Sequence, residues 1–207
     1  MPEAGLREPG QREPGLREPG LRERSKARRR AAIIRAAYEL FAERGYDATT
    51  IADIAEAAEV SPRTVTMYFP AKQDIALSRV SDGVADLTGA IRDRRPGETL
   101  HDAFGRWLLT SSAEPEEREL YRLARRMFAA NPDLGALRTA RMAAGVREGA
   151  AMIAADTGST PDAIAPRIAA AAAAAIAMEV IDTEPGAERE QAVAAAMRFL
   201  EGGTAAL

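Results

Sequence analysis

An all-α fold follows from three features of the 207-residue sequence. From Ser25 onward apolar residues recur three and four apart, the spacing that lines one face of a helix. Helix stops and starts separate those stretches, among them Gly45, Ser61-Pro62, Pro96-Gly97, Asn131-Pro132 and Gly158 to Pro161. No stretch shows the sustained period-2 alternation of β-branched residues that marks a half-buried strand.

In chain order, residues 5–24 read GLREP-GQREP-GLREP-GLRER, with Pro in every unit but the last. Proline every fifth residue prevents a continuous helix, and the leucines are too sparse for a core, so residues 1–23 are expected as a disordered tail. A helix follows, with Ile33, Ile34, Ala37, Leu40 and Phe41 on one stripe and Gly45 at its end. Thr50 and Asp53 have the capping-box spacing and open a short helix that turns Ile51, Ile54, Ala55 and Ala58 inward. Ser61 at an N-cap and Pro62 at the first helical position open a third helix, which Pro70 stops near Phe69.

A longer helix is expected from Lys72 to Pro96, carrying Leu77, Val80, Val84, Leu87 and Ile91. Helices at about 98–112, 115–130 and 133–156 come next. An alanine-rich helix then runs to Asp182, and after Glu184-Pro185-Gly186 a last one carries Val193, Met197 and Leu200. The domains expected are the tail at 1–23, a unit at 24–71 and a helical body at 72–207.

Composition narrows the chemistry. No cysteine is present, and His101 is the single histidine, so thiolate sites, multi-histidine metal sites and disulfides are out of reach; no cofactor is expected. The longest uninterrupted apolar run, Ile168 to Met178, is shorter than the roughly 20 residues that span a bilayer. With no signal-peptide pattern at the N-terminus, the expectation is a cytoplasmic protein without a membrane partner. The formal charge of −3 is unevenly spread. Residues 24–80 hold ten Lys/Arg against seven Asp/Glu, net +3, and residues 81–207 hold fourteen against nineteen, net −5. That asymmetry suggests a polyanion-facing module on an acidic body, with Arg28, Arg29 and Arg30 in its basic run.

Two short helices joined at Glu59-Val60 form a helix-turn-helix pattern, whose second helix enters the major groove of DNA. Val65, Tyr68 and Phe69 supply part of its buried side, leaving Arg63, Thr64, Thr66 and Met67 more outward. Arginine reads guanine in bidentate fashion, and threonine offers a hydroxyl or a methyl.

The segment TTIADIAEAAEVSPRTVTMYFPAKQDIAL, residues 49–77, resembles the N-terminal signature of the TetR family of repressors, as do Phe41, Gly45 and Tyr46 upstream. The resemblance implies a three-helix DNA-binding domain followed by a helical ligand-binding and dimerisation domain. It implies phosphate contacts from Thr50, Ser61, Tyr68 and Lys72 and base contacts from Arg63, Thr64, Thr66 and Met67. It also implies a homodimer on a near-palindromic double-stranded operator, released by a small-molecule effector and not acting as an enzyme. Three positions depart from the family pattern: Glu59 stands where glycine is frequent, Thr66 where an aromatic is common, and Ala71 where a small hydroxyl residue often caps the next helix.

By the same analogy, helices at 162–182 and 187–201 meet a second copy, with Ile176, Val180, Val193 and Met197 at the contact. Phe104, Trp107, Tyr121, Met127, Phe128 and Met142 are candidates to line an apolar pocket, since such walls are usual for small-molecule sites. A helical enzyme, or an architectural DNA-binding protein that senses no ligand, stays open from the residues alone.

Overall fold

A computed structural model describes residues 20–111, 114–181, 183 and 186–204. The described residues form ten helices and no strand: α1 (Leu21–Arg44), α2 (Ile51–Ala57), α3 (Pro62–Tyr68), α4 (Lys72–Ala76), α5 (Ser78–Arg92), α6 (Leu100–Thr110), α7 (Pro115–Ala130), α8 (Leu134–Thr157), α9 (Ile164–Ile181) and α10 (Ala187–Thr204). The all-α expectation holds.

The expected tail lies outside the described residues except for its last four, and those are not tail. Helix α1 starts at Leu21 after Gly20, because the last repeat carries Arg24 where the other units carry proline. The helix expected over 72–96 is divided at Leu77 (φ −96°, ψ 4°) into α4 and α5.

Capping follows the sequence closely. The Thr50 hydroxyl oxygen accepts the Asp53 N–H at 3.2 Å and Asp53 accepts the Thr50 N–H at 2.7 Å. Ser61 accepts the Thr64 N–H at 3.1 Å. Ala71 has no oxygen to offer, and only the reciprocal half survives there, the Ala71 N–H donating to Asp74 at 3.1 Å. Glu59 sits in the α2–α3 turn at φ 53°, the left-handed region that disfavours a side chain.

One core joins what the sequence divides at residue 71. Ile33, Ile34, Ala37, Tyr38 and Phe41 of α1 pack on Ile54, Val65 and Ile75 from the short helices, and equally on Leu120, Leu123, Ala124 and Met127 of α7. Asn131 at the end of α7 pins the joint: its Nδ2 donates to the Phe41 and Met127 carbonyls at 2.8 Å each, and its Oδ1 accepts the Tyr46 N–H.

A second core gathers Phe104, Trp107, Leu108, Ala177, Val180 and Val193 from α6, α9 and α10. Arg189, 2% exposed, closes its edge by donating to the carbonyls of Ser111, Ile181 and Thr183. These carbonyls lie at the C-terminal ends of α6 and α9, where a cation is favoured.

Helix α9 corrects the expectation about length. It runs on through Pro166, Arg167 and Glu179, and its 18 residues, at mean hydropathy 1.7, are long and apolar enough to cross a membrane by length and composition. In the structure it packs along α8 and α10.

Three stability outcomes follow. Arg189→Leu leaves those helix-end carbonyls without a donor and lowers stability by about 3 kcal/mol, readable as a fall in urea midpoint. Glu59→Gly relieves the positive φ and raises stability by up to about 1 kcal/mol; a lower midpoint would show that the turn is unstrained. Hydrogen bonds from Thr50 and Thr99 hold Asp53 and Asp102 below the ordinary aspartate range, and Arg106 holds Glu98 down to about 2. Depressed carboxylates stabilise the fold fully above their unfolded pKa and lose that contribution as pH falls through the folded value. The urea midpoint of Glu98→Gln should therefore be less sensitive to acidification between about pH 5 and pH 2 than that of the wild type.

Candidate functional site

Helix α3 is held by one side and open on the other. Val65 is fully buried and Phe69 is 4% exposed, both in the α1 core, while Met67 stands 71% exposed and Arg63 and Thr66 are exposed beside it. Thr64 and Tyr68 are half-buried at the margins. The 100° turn per residue produces this division, since 65 and 69 fall on one face and 63, 66 and 67 on the other. Two hydroxyls on the open side are engaged locally: Thr64 lies 2.8 Å from Ser61 Oγ, and Thr66 donates to the Arg63 carbonyl at 3.1 Å.

The expected phosphate contacts divide. Ser61 is exposed at the head of α3, and Arg28 and Arg29 are exposed on α1. Thr50 is exposed too, but its N–H and its hydroxyl both go to Asp53, the hydroxyl at 2.6 Å. Lys72 has an internal task that its place in the motif does not reveal. Its ammonium donates to the Tyr46 carbonyl at 2.6 Å and the Thr49 carbonyl at 2.9 Å, and it sits 4.2 Å from the Tyr46 ring centre. One N–H is left for an outside acceptor.

A cavity of about 900 Å³ opens in the body between α5, α6, α7, α8 and α9. Phe104, Trp107, Tyr121, Phe128 and Met142 line it, as does His101. Met127 does not: it is wholly buried against α1, because positions 120, 123, 124 and 127 share the face of α7 turned to the N-terminal core. The walls are mainly aliphatic and alanine side chains, the usual make-up of a small-molecule site. Gly145 lets α8 approach α5 closely, since a Cβ there would lie 2.9 Å from a Val84 methyl. The His101 ring meets the Met197 carbonyl at 3.1 Å.

Between cavity and α3 lies a set of polar contacts that the sequence reading missed. Arg30 of α1 makes a two-pronged pair with Asp82 of α5 at 2.9 and 2.8 Å, and its guanidinium stands 5.3 Å from the Phe69 ring centre. Tyr38 of α1 lies 2.9 Å from Ser78 Oγ and accepts the Arg79 N–H at 3.3 Å. Burial pushes the Tyr38 phenol above its usual range. Arg30 could be read as part of a basic run; nothing in its spacing points to Asp82.

The four residues expected at a subunit contact face the chain's own interior. Val180 and Val193 are 4% exposed, and Ile176 and Met197 pack against the same core. The outward face of α9 carries instead Ile164 (65% exposed), Ile168, Ala171, Ala175 and Met178, a 4-3-4-3 spacing, and α10 exposes Phe199 at 68%. The rotation that turns these four residues inward is one the alanine-rich sequence hides.

A model of the family described as bacterial regulatory proteins, tetR family, matches residues 33–78. The HTH-type transcriptional regulator TcmR of Streptomyces glaucescens is 42% identical over 66 residues, 32% of this chain and 29% of TcmR, so the match spans under a third of that relative. Among solved structures, GusR of Salmonella enterica gives a TM-score of 0.58 at 22% identity, covering 84% of this chain and 94% of GusR. NalD, the secondary repressor of the MexAB-OprM multidrug efflux pump in Pseudomonas aeruginosa, gives 0.51 at 20% identity, covering 84% and 96%. At those identities the likeness speaks for the fold, and the family rests on the N-terminal segment that builds α1 to α4. Through that segment, residues 33–78, the chain is similar to the tetR family of bacterial regulatory proteins.

Proposed function

We propose that the chain is a ligand-responsive transcriptional repressor that grips a near-palindromic operator as a homodimer and releases it when a small molecule enters the cavity. The observation that carries the reading is the exposed face of α3, where Arg63, Thr66 and Met67 project from a helix seated on Val65 and Phe69. A short, externally presented helix with a braced back fits the major groove. Arg63 is the base reader, while Ser61, Arg28 and Arg29 meet phosphates and fix register. Acting on chromosomal DNA places the protein in the cytoplasm.

Two further observations favour a sensing dimer over an architectural binder. An architectural protein has no use for a lined cavity of about 900 Å³ behind its DNA-binding helices. The exposed stripe on α9, with Phe199 on α10, has the spacing of a helix seam and is covered in a dimer. Two reading helices about 34 Å apart then match successive major grooves.

Release works through α5, which lines the cavity and also holds Arg30 through Asp82. A ligand that shifts α5 changes the angle between the two heads, and a coupling of about 1–3 kcal/mol lowers occupancy some 5–150-fold.

Gel-shift titration against the DNA upstream of the gene tests the reading. Arg63→Ala should cost about 1–3 kcal/mol on the operator and little on random duplex. Equal losses on both duplexes would remove Arg63 from sequence readout; no binding by the wild-type chain to any duplex would sink the regulator reading itself.

A further inference from the structure

The cavity has a polar side as well as an apolar one, and the polar side is cationic. Arg79, Arg125 and Arg138 line it, against one carboxylate, Asp156, which Arg94 already holds at 2.6 Å. Arg138 lies over the Phe128 ring at 4.9 Å. Arg79 is the unusual one, since it is only 7% exposed and its Nε and Nη2 meet no hydrogen-bond acceptor. Its ionic neighbours stand off, Asp82 and Glu117 both at 3.6 Å, and Asp82 directs its oxygens to Arg30 at 2.8 and 2.9 Å. The ring of Tyr121, which lines the same cavity, covers the Arg79 guanidinium with its centre 4.4 Å away. A buried guanidinium with unmet N–H groups is costly, and an acceptor of opposite charge removes that cost.

Other polar groups on the wall are engaged. Thr88 donates to the Val84 carbonyl at 2.7 Å, Thr157 to the Ile153 carbonyl at 2.9 Å, and the His101 ring meets the Met197 carbonyl. The unmet donors therefore concentrate at Arg79, beside Gly83 and Tyr121.

We propose that the effector is an apolar molecule bearing one acidic group, a carboxylate or an ionised phenol, which pairs with Arg79 while its apolar part fills the space around Trp107 and Phe104. This rests on the reading of the cavity as the sensing site, and Arg79 is its specificity determinant.

Trp107, the single tryptophan of the chain, lines the cavity and reports binding by its fluorescence. The probes are decanoate and 1-decanol at pH 7.5, equal in chain length and different in charge, titrated into the full-length protein. Decanoate should bind at least about tenfold more tightly than decanol, the range of a charge-assisted hydrogen bond. Arg79→Met should abolish that preference and leave decanol affinity unchanged, whereas Arg79→Lys should keep much of it. Equal affinities in the wild type, or a preference that survives Arg79→Met, would overturn the assignment while leaving the sensing cavity standing. Equal loss of both probes in Arg79→Met would mark the residue as purely structural and also overturn it. If neither probe binds the wild type, the sensing reading falls and the assignment falls with it. The wild-type comparison needs no variant, so a poorly folding Arg79→Met does not shield the proposal.

Discussion

Helix α1 is buried on two sides at once, and everything else in the molecule is arranged around that constraint. Its Ile33, Ile34, Ala37 and Phe41 stripe braces the short helices that present α3, and the same stripe packs on α7 of the body. A helix as short as α3 has no stability of its own, because nucleation costs more than two turns return. It exists because Val65 and Phe69 are clamped by α1. Helix α3 is thus as firmly set as the junction between α1 and α7, and Asn131 locks that junction through backbone groups of both helices. Close-packed interiors shift between discrete arrangements more readily than they deform, so a head seated this way moves with its body.

Much of this was legible in the sequence because caps and breakers are local. Thr50 with Asp53, Ser61 with Pro62, and Gly45 each act within one turn of backbone, and their residues identify their geometry. The outward face of α3 was legible for the same reason, since a seven-residue helix with Val65 and Phe69 inside leaves little choice for Arg63 and Met67. Met127 shows where that logic stops. It has the right character for a pocket wall, but only the packing of α7 between α1 and the body decides which side of the helix faces which. The alanine-rich α9 shows the same failure more strongly. With similar small side chains all round, its rotation carries no periodic signal, and Val180 turned out to be core while Ile164 and Ile168 lie outside.

Long-range polar contacts were illegible for a different reason. Arg30 and Asp82 are 52 residues apart, and a bidentate pair needs both helices placed before either residue has meaning. Lys72 is a subtler case. Its place in the motif is local, but its two carbonyl acceptors belong to the α1–α2 connection, so the ammonium staples α4 to the head. Losing it therefore disturbs the position of α3 whether or not the ammonium also meets a phosphate, and its place in the motif alone does not reveal this internal task.

The boundary between cavity and reading head is polar where the rest of the joint is apolar, and that difference has a consequence. Apolar packing resists displacement steeply but does not distinguish one occupant from another by charge. An ionic chain does: Arg79 stands 3.6 Å from Asp82, Asp82 holds Arg30, and Arg30 lies against the Phe69 ring that ends α3. Arg79 and Arg30 share one carboxylate. Under the assignment of an acidic effector group to Arg79, that group and Asp82 compete for the same guanidinium, so cavity occupancy and the state of the Arg30–Asp82 pair are thermodynamically linked. Linkage is reciprocal, so on the proposed function whatever DNA does to the position of α1 acts back on Arg79 and on the affinity of the cavity. On the proposed function, one shared aspartate is enough to place the head and the cavity on a single balance of charge.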